Sequence, residues 1–124
     1  MGNLVALDIR TRFTPFTMNL GHNEPVDLFV EIVNPSPAAQ AVSIDLFVGY
    51  TLALDEIGSK SATTIQIPEF KPKEKKSWYF RIFPKKVTQV GDNPIRLRVF
   101  EHYNGDFSLI RQKHDFNLSL LIRP

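Results

Sequence analysis

Apolar and polar residues alternate along most of this chain, and the period is two. In "VDLFVEIVN", from Val26, the residues Leu28, Val30 and Ile32 share one face while Asp27 and Glu31 share the other. In "AVSIDLFVGY", Val42, Ile44, Leu46 and Val48 stand opposite Ser43 and Asp45. The same alternation sets Ile65 with Ile67, Trp78 with Phe80 and Ile82, Ile95 with Leu97 and Val99, and finally Phe116, Leu118, Leu120 and Ile122. Each run predicts a strand with one buried face. No window has sustained helical spacing. The best, "YTLALDEIGSK", is short, ends near Gly58, and predicts one helical turn at most.

Turn chemistry falls between these runs. Pro35 and Pro37, Pro72, Gly91 with Pro94, and Asn104-Gly105 each interrupt the alternation. Asn104-Gly105 is the strongest hairpin signal, because both residues tolerate positive φ. A two-residue turn there sets Tyr103 opposite Asp106, Phe100 opposite Leu109 and Val99 opposite Ile110. That register leaves polar Gln112 and His114 facing Leu97 and Ile95, so it predicts a hairpin projecting as a ribbon, with Phe116–Ile122 as the closing strand. A long loop from Asn104 to His114 is the alternative. Seven to eight such strands predict an all-β fold, an immunoglobulin-like antiparallel Greek-key β-sandwich that takes residues 1–124 as one domain. A parallel sheet would need strands apolar on both faces, which these are not.

Composition narrows the chemistry. At 124 residues and 43% hydrophobic, the chain is long and apolar enough to bury a core without staples, and no apolar run reaches the ~20 residues of a membrane helix. There is no cysteine, which removes disulfides, thiolate metal sites and cysteine nucleophiles. The first residues have no basic stretch leading into a long apolar run and do not resemble a secretory signal. The compartment stays open: the cytoplasm for the chain as it stands, or the cell surface if it is one domain of a longer protein.

The stretch "FKPKEKKSWYFRIFPKK", Phe70 to Lys86, holds seven basic residues, one acid and five aromatics. It contributes +6, and the rest of the chain sums to −4, so the basic character is local. Period two turns Trp78, Phe80 and Ile82 inward, and the lysines fall at the two ends of a strand. Nucleic-acid grooves need outward aromatics beside converging cations, so this pattern argues against nucleic acid as a partner.

The segment from "EIVNPSPAAQAVSIDLFVGY" through "FKPKEKKSWYFRI" to "VGDNPIRLRVFEHY" resembles the CARDB-type, cell-adhesion-related immunoglobulin-like domains of bacterial and archaeal surface proteins. Asn34, Pro72 with Glu74, Gly91 and Pro94 occupy matching places, over residues 26–103. The tail beyond Tyr103 departs from the short acidic ending of that family. The resemblance implies a ligand-free, non-catalytic interaction or spacer module.

Candidate chemistry is sparse. His22, His102 and His114 lack the spacing of a zinc site and read as surface residues. There is no phosphate loop or nucleophile elbow, and no cofactor is expected. Phe47 and Phe100 lie on the outward parity of strands expected to be neighbours, and Phe107 and Leu109 fall at the tip or flank of the last hairpin. These four make the expected interface for a protein partner, a neighbouring domain or a second copy. The expected function is therefore a non-catalytic structural or protein-binding module, with a carbohydrate-binding module using Tyr79 and Tyr103 as the rival.

Overall fold

The structure, a computed structural model, describes residues 6–103 and 105–124. All its regular elements are strands: β1 (Asp8–Thr14), β2 (Thr17–Asn19), β3 (Val26–Val33), β4 (Gln40–Phe47), β5 (Leu52–Ala53), β6 (Ala62–Phe70), β7 (Lys75–Pro84), β8 (Gly91–Tyr103) and β9 (Asp106–Arg123). They form two sheets, ordered β1-β3-β7-β5 and β2-β9-β8-β4-β6. Every pairing is antiparallel except β2 with β9. Among the described residues no helix is long and apolar enough to cross a membrane.

Alternation positions the core. Along β3, Val26, Leu28, Val30 and Ile32 are buried while the residues between them are half-buried. They meet Ile44 and Leu46 of β4, Leu97 and Val99 of β8, and Leu120 and Ile122 of β9 in one apolar cluster between the sheets. Each fully buried Leu, Ile or Val contributes about 1.5–3 kcal/mol relative to exposure. The all-β, two-sheet architecture is as predicted, with nine strands because β2 and β5 are short additions. Trp78 and Phe80 have the predicted parity but are only half-buried, since their part of β7 lies at a sheet edge. The predicted helical turn is instead a loop after β5, tied by Asp55, whose Oδ1 accepts from the amides of Gly58, Ser59 and Lys60.

The last hairpin departs furthest from expectation. Tyr103 does pair with Asp106, and Gly105 has φ +74°, but Asn104 lies outside the described residues. Beyond that pair the register slips. Phe100 faces Lys113 rather than Leu109, and Val99 faces His114 rather than Ile110. Between the Tyr103–Asp106 pair and the Glu101–Gln112 pair, β8 advances two residues and β9 six, so β9 carries four extra residues in a bulge. The slip sets Phe116 against Leu97 and Leu118 against Ile95, apolar on apolar. Neither the projecting ribbon nor the long loop is needed. Strand register follows the pairing that keeps apolar side chains on the buried face.

Candidate functional site at the bulged end of the β8–β9 hairpin

The bulge brings together residues that even spacing would keep apart. Glu101, on the inward parity of β8, is fully buried at the end of the core. Its carboxylate accepts from Arg111, a bulge residue, and from His114 Nε2 at 2.7 Å. Arg111 also donates to Gln40 Oε1 at 2.5 Å, and Gln40 Nε2 donates to Asn34 Oδ1 at 3.1 Å. One hydrogen-bonded chain therefore runs Asn34–Gln40–Arg111–Glu101–His114. A buried carboxylate requires such partners, because desolvation is otherwise costly.

On the outer face, His102 is buried too. Its Nδ1 lies 3.3 Å from the Leu109 carbonyl, which can only accept, so Nδ1 carries the proton. In the neutral ring Nε2 then accepts from the Ser43 hydroxyl at 2.7 Å. Phe107 stands edge-on to the imidazole at 5.0 Å and Phe100 flanks it at 6.3 Å. A serine paired with an oriented imidazole has the donor order of a nucleophile and its base. Here both side chains are largely covered, at 7% and 6% exposure.

Two histidine expectations are corrected: His102 is buried and His114 half-buried, and only His22 lies fully at the surface. The cause is the bulge, which folds four extra residues back over the strand pair.

Of the predicted interface residues, Phe100, Phe107 and Leu109 converge on His102, and Phe47 does not. β4 and β8 are neighbours as expected, but Phe47 faces Arg96 while Phe100 faces Ser43, four residues away and roughly 13 Å along the strand. Phe47 instead borders a shallow groove with Arg96 and Arg98. Phe29, a third aromatic on outward parity, is covered by Arg12 at 4.3 Å and Tyr79 at 5.0 Å. Sequence reasoning missed Glu101, His102 and Arg111. Their only trace was a polar interruption, "EHY", where alternation should have continued apolar.

Around this hub apolar residues are exposed among the polar Asp106, Ser108, Gln112 and Lys113. Tyr103, Leu109 and Ile110 are each about half exposed. Tyr79, the other residue of the sugar-platform expectation, belongs to the opposite sheet, so the two tyrosines share no face. The lysines divide as predicted: Lys71 and Lys73 precede β7, Lys75 and Lys76 begin it, and Lys85 and Lys86 follow its far end.

No family model and no curated protein matches the chain. Solved structures do. A Pseudomonas fluorescens alkylpurine DNA glycosylase, AlkC, bound to DNA containing an abasic site analogue, is 19% identical, with TM-score 0.45, over 95% of this chain and 30% of that one. AvmM, which catalyses macrocyclization in alchivemycin A biosynthesis, is 10% identical, with TM-score 0.49, over 95% of this chain and 90% of that one. The chain thus spans under a third of the glycosylase's length. Both neighbours are enzymes, and on that finding the expectation of a non-catalytic module is withdrawn. At these scores the likeness assigns no activity or ligand to this chain.

Proposed function

We propose that this chain is an immunoglobulin-like Greek-key module that binds a protein partner through the bulged end of its β8–β9 hairpin. The strand orders β1-β3-β7 and β9-β8-β4-β6 support the immunoglobulin-like topology. The resemblance to CARDB-type domains belongs to the same proposal. The observation that carries the binding role is the exposed apolar surface of Tyr103, Leu109 and Ile110, on a segment held through the Leu109 carbonyl by His102, which Ser43 orients, and through the Arg111 side chain by Gln40 and Glu101. Exposed apolar clusters on ordered scaffolds mark contact sites, and pre-organised loops lose little entropy on binding. The division of lysines between the ends of β7 supports a protein rather than a nucleic acid as the partner.

Cross-linking in cells of origin, followed by mass spectrometry, tests this. Leu109→Asp with Ile110→Asp is expected to abolish the cross-links formed by the native chain while moving the Tm by only a few degrees. Unchanged cross-links would refute the assignment. Tight, salt-sensitive binding to duplex DNA that survives both substitutions would point to nucleic acid instead.

A further inference from the structure

Among the described residues, one flank has no closing strand. β5 covers only Phe83 and Pro84, so β7 from Lys75 to Ile82 has no further strand partner on that side among the described residues. β6, the last strand of the other sheet, pairs among the described residues only with β4. Between the two edges runs an open groove of about 590 Å³ lined in part by Ile65 and Trp78.

An open edge presents a row of unpaired N–H and C=O groups, and sheets guard such edges with lysine, proline or bulges. The two edges differ in this respect. β7 carries Lys75, Lys76 and Arg81. β6 carries no charge from Ala62 to Ile67 and is rich in β-branched residues, with Pro68 the first interruption.

We propose that the β6 edge pairs antiparallel with the β6 edge of a second copy of this chain, about a two-fold axis at Ile65. Two copies that form one continuous sheet must keep the same face outward, so even positions oppose even ones. Ile65 then faces itself, Thr64 faces Gln66, Thr63 faces Ile67 and Ala62 faces Pro68. The span from the first residue of β6 to its proline is symmetric about that axis. Polar side chains meet on the outer face and β-branched ones on the core side, both favourable cross-strand pairs. No like charges oppose each other. A β7 pair centred on Trp78 would instead set Lys75 against Arg81, whereas the β6 pair brings no charge to the seam from Ala62 to Pro68. The contact is short compared with standard interfaces, so the dimer is weak, reversible and concentration-dependent. It is separate from the hairpin surface, since β4 lies between β6 and β8.

Sedimentation equilibrium of the full chain, from low micromolar to near-millimolar, is expected to show a monomer–dimer equilibrium. Thr64→Lys with Gln66→Lys opposes like charges twice and should weaken the dimer roughly tenfold. Thr64→Lys with Gln66→Glu opposes unlike charges twice and should restore it. Both double variants remove the same Thr64–Asp45 hydrogen bond, and both positions are exposed, so the fold is affected equally. A native chain that stays monomeric throughout overturns the proposal. So does a Lys/Lys variant that dimerises like the native chain, or a Lys/Glu variant that fails with it.

Discussion

Two hubs of one hydrogen-bonded chain, Asn34 and Glu101, occupy the same end of the molecule, and they satisfy their burial by different means. Asn34 is neutral and bonds mostly to backbone: its Nδ2 donates to the carbonyls of Ala38, Phe70 and Lys71, and its Oδ1 accepts from the Ser36 amide and from Gln40. Glu101 is acidic and bonds to side chains, Arg111 and His114. The first fastens the end of β3 to the turn between β6 and β7, where Asn34 N also donates to Glu74 O and Lys73 N to Asn34 O. The second fastens the bulge of β9 to β8. An amide suits backbone because it donates and accepts at once, whereas a carboxylate needs cations brought to it. The bulge brings Arg111, and His114 donates from the ladder beside it.

Substitution at the two hubs should separate these mechanisms, with the largest effect at Glu101. Glu101→Ala leaves Arg111, itself only 16% exposed at its side chain, without its counter-charge, and is expected to cost about 3–5 kcal/mol in urea unfolding. Asn34→Ala leaves neutral groups unpaired and should cost less, about 2–3 kcal/mol. The isosteric exchanges sharpen the contrast. Glu101→Gln keeps the shape and one acceptor oxygen, whereas Asn34→Asp would turn a carboxylate toward three carbonyls. The aspartate substitution should therefore be the worse of the two. If Asn34→Ala proved costlier than Glu101→Ala, the distinction between neutral and charged networks would fail.

The same contrast explains what the sequence disclosed. Asn34, Pro72 and Glu74 announce themselves by residue type, because a strand-ending Asn and a proline turn have local chemistry. Period two located β3, β4 and the core residues of β8 for the same reason. The bulge has no local signature. Its four extra residues become visible only when Phe116 and Leu118 are matched with Leu97 and Ile95, a comparison between strands rather than within one. In the register of an even two-residue hairpin, Glu101 and His102 read as ordinary end-of-strand polar residues. Trp78 shows a subtler limit: parity fixed its direction, but its half-exposure depends on the strand order, which places it beside an open edge.

A deletion probes the bulge with a smaller effect. Removing Phe107–Ile110 takes out as many residues as β9 has in excess, so Arg111 would follow Asp106 and the ladder could run in one register from Tyr103–Asp106 onward. The apolar pairs Leu97–Phe116 and Ile95–Leu118 survive. His102 loses the Leu109 carbonyl and the Phe107 ring, about 1–2 kcal/mol together. A folded protein with a modestly lowered Tm and no partner cross-links is expected. Complete unfolding would show that the bulge is part of the core.

The smallest effect concerns acid, where both regions behave alike. Each is tied at its turn by a carboxylate. Glu74 Oε1 accepts from the Lys71 amide at 3.0 Å, and that bond, helped by Lys76 and Lys71 nearby, holds its carboxyl below the usual range. In the bulge, Asp106 Oδ1 accepts from the hydroxyl and the amide of Ser108, and the hydroxyl bond leads in pushing its carboxyl down. Both are acids with depressed folded-state pKa values. Their contribution is therefore complete above the unfolded values, near 4.5 for Glu74 and 3.8 for Asp106, and is lost as pH falls through the lower folded ones. Asp106 is exposed and Glu74 partly so, so screening keeps each contribution small. Carboxyl carbon NMR titrations should give midpoints below those reference values. Glu74→Gln and Asp106→Asn should each lower the Tm slightly at neutral pH, and that difference should shrink toward zero at the acid end. A Tm difference that grows on acidification would mean the carboxylates are strained rather than held by these bonds.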